Sequence, residues 1–195
     1  GLEGLAGGQD AVGVLAAFEL ARSSGANFET AAAGAVKAGH PVVIDYLIEA
    51  AEDAMKAGKD VAAWERTLLA VIEDSPNQGE RMQPEHFRVA QAVTLLLKYG
   101  SADAEASIAQ VLGGRYGPRV RAVAAGLLRA ENDRAAKLAR SLLKSPYHEL
   151  TTDAALTLGR MGDANAAPYF ERILVRRSQS PEPLVALAAW YTLKI

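Results

Sequence analysis

Cysteine is absent from this chain, which excludes disulfides, thiolate metal sites and a cysteine nucleophile and leaves the compartment open. Aromatic residues make up only 6%, too few to build the aromatic and β-branched faces on which sheets depend. No stretch comes near the roughly 18 consecutive apolar residues of a membrane span. The opening GLEGLAGG has neither the basic start nor the apolar run of a secretory signal, so a cytoplasmic and a periplasmic setting stand equally open. Gly1 in place of an initiator methionine reads as a trimmed or processed end.

What the chain has in quantity is alanine and regular apolar spacing. Half of its 195 residues are hydrophobic and 23% charged, enough for a continuous core in a folded, soluble protein, and alanine favours closely packed helices. The predicted class is all-α. Ala11, Val14, Leu15 and Phe18 place a first helix over 9–23, stopped by Ser24-Gly25. Asn27 is positioned to cap a short second helix over 28–38, in which Gly34 suggests the close approach of a neighbour. His40-Pro41 opens a stronger helix ending at Gly58, and Asp60 caps its partner, which carries Trp64, Leu68 and Ile72 up to Ser75-Pro76. The polar stretch 75–84, SPNQGERMQP, is the longest break and reads as a loop between repeats, because the helices on both sides are too apolar to be left uncovered.

Beyond that loop the chain repeats itself. Asp103, Asp133 and Asp163 recur at a spacing of 30, each at the start of a short second helix, where a carboxylate accepts orphan backbone N–H groups and suits the helix dipole. Leu112, Leu143 and Leu174 recur at 31 near the ends of those helices. Gly113-Gly114 with Gly117-Pro118 reads as a turn carrying Arg115 and Tyr116, and 183–193 as a first helix without a partner, either a cap or the point from which the natural chain continues. In the clearest unit, 151–174, the residues Asp153, Ala154, Ala155, Leu158, Gly159, Gly162, Asp163, Ala167-Pro168 and Leu174 fit an Ala-Ala-x-x-Leu-Gly helix, a Gly-Asp turn and a second helix.

That pattern resembles the bacterial HEAT-like, or phycobilisome-lyase-type, repeat. The likeness is strongest at 151–174, present at 119–143 and faint at 85–112, while 1–75 share only the rhythm of helix pairs. It implies a right-handed α-solenoid: one domain over 1–195, with divergent helical hairpins in 1–75, the loop at 76–83 and HEAT-like repeats in 84–195. Members of the family are mostly protein-binding scaffolds, with a few enzymes, and the fold by itself does not fix the function.

The enzymatic readings do not fit the residues. In the di-iron deoxyhypusine hydroxylases, His-Glu pairs stand directly before the Ala-rich segment, whereas His148-Glu149 lies several residues too early, Glu85-His86 is reversed and His40 has another setting. Nothing maps to the chromophore site of a phycobilin lyase, and no phosphate-binding glycine loop follows a strand. No catalytic constellation, metal site or cofactor is expected. The DNA glycosylases built on such repeats suggest a test for basic side chains: Lys137, Arg140 and Lys144 share the polar face of one second helix, and Arg172 and Arg176 project from the next. A pI near 6.0 and the lack of interleaved aromatics disfavour nucleic acid. The resulting expectation is a non-enzymatic scaffold that binds a protein partner of unknown identity through those five residues. Charge is also lopsided. Residues 1–82 carry six basic and thirteen acidic side chains, a balance of −7, and residues 83–195 carry fifteen and ten, a balance of +5, an arrangement suited to orienting a partner or to head-to-tail self-association. Trp64, Tyr169, Trp190 and Tyr191 fall on or beside apolar stripes and are expected in the core.

Overall fold

The alanine-rich periodicity is realised as helices throughout. In the computed structural model, residues 6–25, 28–79 and 81–176 are described, the side chains of 172–176 apart. Among them there are ten α-helices, one short 3-10 turn and no strand. The helices are α1 Ala11–Ser24, α2 Phe28–Ala38, α3 Pro41–Lys56, α4 Val61–Asp74, α5 Pro84–Tyr99, α6 Ala102–Leu112, α7 Pro118–Ala130, α8 Asp133–Leu142, α9 His148–Arg160 and α10 Ala167–Arg176, with the 3-10 turn Ala164–Ala166 before α10. The expected helix at 183–193, with Trp190 and Tyr191, lies outside the described residues, as does Asn27.

The ends of these helices follow local chemistry. Asp10 caps α1 by accepting from the Gly13 N–H at 2.8 Å, and Gly25, at φ 68°, turns the chain out of the helix in a conformation that a side chain would resist. Prolines stand in the first turns of α3, α5 and α7, where a missing N–H costs nothing. The expected aspartate caps need correction. Ser101 and Asn132 are the true caps of α6 and α8, accepting from Ala104 and Ala135, while Asp103 and Asp133 lie inside the first turn and act on the dipole alone. Only Asp163 caps as expected, accepting from Asn165 at 2.9 Å. Asp60 holds the cap position of α4 without a side-chain bond, its carbonyl instead accepting from Ala63 and Trp64.

Each helix makes its principal contacts with the next or the next but one along the chain. The odd-numbered helices touch in succession, α1 with α3, α3 with α5, α5 with α7 and α7 with α9. Their starts lie at one edge. His40 before α3 reaches the Gln9 carbonyl before α1 at 3.0 Å, Arg88 in α5 pairs with Asp45 in α3 at 2.6 Å, and Tyr116 before α7 stacks on Tyr147 before α9 with ring centres 4.1 Å apart. At the opposite edge Arg134 of α8 donates to the Gly100 carbonyl at 2.7 Å and to Leu97 at 3.2 Å, satisfying carbonyls that the end of α5 leaves open.

One core runs through all of this, from Phe18 to Phe170. At its start Phe18 is fully buried among Phe28, Tyr46 and Trp64, with ring centres 5.6, 6.3 and 6.1 Å away in tilted and edge-on contacts. Trp64 and Tyr169 are buried as expected. α5 and α7 pack closely. Gly126 lies against Val93 and Ala90, and the Thr94 hydroxyl donates to the Ala90 carbonyl at 2.8 Å and to the Gly126 carbonyl at 3.3 Å. Gly34, by contrast, is exposed, and a Cβ built there meets nothing within 4 Å, so the neighbour expected from the sequence is not there. Gly34→Ala should therefore raise stability by about 0.5–1 kcal/mol, the helix propensity it forgoes. Urea denaturation checks this, and a loss of stability would contradict the exposed setting.

The 75–84 stretch is a latched loop. Ser75 closes α4 and its carbonyl accepts from the Arg119 guanidinium, Nε at 2.9 Å. Asn77 donates to the Arg115 carbonyl at 2.9 Å and accepts from the Arg119 N–H at 3.1 Å. His86, buried in the first turn of α5, accepts from the Gln83 N–H at Nδ1 and meets the Pro76 carbonyl at Nε2, both at 2.8 Å. Because Nδ1 accepts, Nε2 carries the proton and donates.

Candidate functional site

Of the five basic residues expected to make contact, the structure engages two with acidic neighbours. Lys137 in α8 pairs with Glu105 in α6 at 2.7 Å, sharing that carboxylate with Arg134 at 3.0 Å. Arg140 donates through Nε to Asp163 at 2.8 Å. The Lys137 ammonium, and after it Arg134, hold Glu105 below the usual carboxylate range. Burial pushes Asp163 up, but its Asn165 bonds and Arg140 together hold it low. Exposed pairs of this kind contribute about 0–1 kcal/mol, so they set register between helix pairs more than they stabilise. The same device recurs where Arg66 of α4 meets Glu29 of α2 and Glu65 of α4 accepts from the Ser101 hydroxyl at 2.9 Å. Lys144 is exposed, and Arg172 and Arg176 have side chains outside the described set.

Lys144 belongs to a different surface, at the edge where the odd helices begin. It borders a cleft of 330 Å³ between the loop before α7 and the loop before α9, walled by Leu112, Val120, Leu142 and Leu150 and flanked by Tyr116 and Tyr147. Arg115 stands exposed in the first of those loops. No carboxylate among the described residues pairs with Arg115 or Lys144. The large hydrophobics left in solvent cluster at this edge as well: Val12, Val42 and Phe87 in the first turns of α1, α3 and α5, and Tyr147 at the cap of α9, each between 42% and 69% exposed. Sequence periodicity does not single these out. Val12, Val42 and Phe87 lie inside apolar helices, and only the packing shows which apolar residues fall off the buried stripe.

The opposite edge carries the acidic counterpart. A groove of 790 Å³ lies between the first two helix pairs, with Phe28, Tyr46 and Trp64 along its wall and Glu49, Asp53 and Asp60 on its rim. All three carboxylates are exposed, and no cation among the described residues pairs with them. Deeper in, Tyr46 donates to Glu19 at 2.7 Å, and Arg22 binds the same carboxylate at 2.7 Å and, ahead of Tyr46, holds it below its ordinary range.

The histidines serve structural ends. His148 is the exposed first residue of α9, His40 bonds the Gln9 carbonyl, and both ring nitrogens of His86 are taken by the latched loop. Among the described residues no three His, Asp or Glu side chains gather closely enough to hold a metal. One titratable group nonetheless stands out. Burial pushes the Asp153 carboxyl up to about 6, with Glu149 adding to the rise and Arg121 opposing it. Nearby, Glu149 is held low by its own backbone N–H and then by Tyr116, whose buried hydroxyl has no well-formed hydrogen bond. An acid whose folded pKa is raised binds more protons folded than unfolded between the two values, so it lowers stability as pH rises from about 4 to about 6. Asp153→Asn should be more stable than wild type at pH 7 by on the order of 2 kcal/mol, the advantage vanishing below about pH 4. Urea titrations of both proteins across that range test this, and a difference independent of pH would contradict it.

No family model, curated protein or solved structure matches this chain.

Proposed function

We propose that the chain is a non-enzymatic protein-interaction scaffold, a right-handed α-solenoid of HEAT-like helical hairpins. The solenoid reading is supported by principal helix contacts that run to the next helix or the next but one and by odd helices that start at a common edge. A solution scattering radius of gyration no larger than the roughly 16 Å of a globule this long would contradict it.

The observation that carries the scaffold reading is the alignment of Val12, Val42, Phe87 and Tyr147, exposed apolar side chains at or just before the starts of four odd helices, α1, α3, α5 and α9. Large apolar side chains in water along one edge are the anchors from which interfaces draw affinity, with nearby charge setting orientation. Lys144 joins this edge beside Tyr147. Lys137 and Arg140, whose charges Glu105 and Asp163 already answer, contribute complementarity at most. The same pairing leaves little free positive charge for phosphates on that helix row. The test is affinity capture from native extract with wild-type protein and a Phe87→Ala/Lys144→Glu/Tyr147→Ala variant of unchanged helicity. A partner retained by the first and lost by the second is expected, and equal recovery would overturn the assignment of this edge.

A further inference from the structure

We infer that the partner this scaffold fits first is a second copy of itself, the basic cleft at Tyr147 and Lys144 of one chain receiving the acidic groove rim of another. The inference rests on the scaffold reading for its surface and on charge for its occupant. Among the described side chains, residues 6–82 carry six basic and eleven acidic groups, a balance of −5, and residues 83–171 carry eleven and nine, a balance of +2; because principal contacts run between near neighbours in sequence, this difference separates along the molecule rather than averaging out.

Most cations between the ends are spent within the chain: Arg66 on Glu29, Arg88 on Asp45, Lys137 and Arg134 on Glu105, Arg140 on Asp163, and Arg160 on Glu131. What is left at the two ends is opposite in sign and similar in build. Lys144 lines a cleft with two tyrosine rings, next to the loop that carries the exposed Arg115, and Glu49, Asp53 and Asp60 outnumber Arg22 and Lys59 around a groove with three aromatic rings along its wall. The two lie at opposite ends and on opposite edges. Each therefore faces its complement only on another molecule, a heterologous contact that continues from copy to copy. Arg115 and Lys144 can reach the carboxylates of the next chain while their stems and Tyr147 cover the aromatic wall.

Sedimentation velocity on the full chain tests this at about 20 mM and about 500 mM NaCl, where screening lengths fall from roughly 20 Å to under 5 Å. The weight-average mass is expected to exceed the 20.6 kDa of one chain at low salt and to return to it at high salt. Arg115→Glu/Lys144→Glu and Glu49→Lys/Asp53→Lys should each weaken association by about tenfold or more. Mixed together, they should associate again, since the intact groove of the first meets the intact cleft of the second. All four residues are exposed and unpaired among the described residues, so helicity should match wild type in both variants. A wild-type protein that stays monomeric at low salt, variants that associate as wild type does, or a mixture that does not associate would each overturn self-association. The capture experiment reads the scaffold assignment separately.

Discussion

Replacing His86 with alanine is expected to lower the free energy of unfolding by about 2–4 kcal/mol, the range for a buried side chain lost together with its hydrogen bonds. The imidazole is 1% exposed and stands between the Gln83 N–H and the Pro76 carbonyl, 2.8 Å from each. Its loss opens a cavity at the start of α5 and strands a donor and an acceptor together. His86→Phe separates the two effects. It restores most of the volume but neither hydrogen bond, so it should remain destabilised by about 1–3 kcal/mol. Urea denaturation of the three proteins gives the comparison, and a phenylalanine variant as stable as wild type would show that the latch holds by shape alone. Proteolysis adds a local readout, since a released 75–84 loop should be cut faster in both variants.

Gly126→Ala should destabilise by about 1–3 kcal/mol even though alanine is the better helix former by about 1 kcal/mol, because overpacking outweighs propensity here. An added Cβ would sit 2.7 Å from Cβ and Cγ1 of Val93 and 2.9 Å from the Ala90 carbonyl. The first two atoms belong to a side chain stiff at its first torsion and the third to backbone, so relief requires moving α7 away from α5. Val93→Ala in the same background should recover part of the loss, and a double-mutant cycle should show a coupling of about 0.5–2 kcal/mol. Additive effects would mean the two helices are not in register through this pair. Set beside the gain expected from Gly34→Ala, the opposite signs of one substitution in two helices are decided entirely by what lies opposite.

That pair also marks how far the sequence could be read. Helix spacing placed the observed elements closely: 9–23 was expected where Ala11–Ser24 is found, 28–38 matches Phe28–Ala38, and the stops at Gly25 and Ser75 hold. Those signals are local, a few residues acting on their own backbone. Gly34 was misread and Gly126 passed over, since sequence shows that a Cβ is missing but not what would have met it. So were the caps. Asp103 and Asp133 repeat at the right interval, yet Ser101 and Asn132, one or two residues earlier, have the extended backbone that lets a side chain reach back to the helix.

Of the five basic residues read from the sequence, the proposed surface keeps Lys144. Lys144 was expected on one helix face with Lys137 and Arg140, but α8 ends at Leu142 and Lys144 lies in the turn beyond it, and only the fold brings Glu105 from a preceding helix and Asp163 from a following turn against the other two. By itself the sequence determined that this chain is helical, where its helices start and stop, and that its charge is divided between its halves, because periodicity, caps, breakers and composition act within a turn or two of chain. Which glycine is crowded, which cation is left over and which apolar side chains face water were decided by the tertiary structure alone. Each of these depends on the residue standing opposite, and that residue is some 30 positions away along the chain, brought there by the packing of helices against others further along the chain.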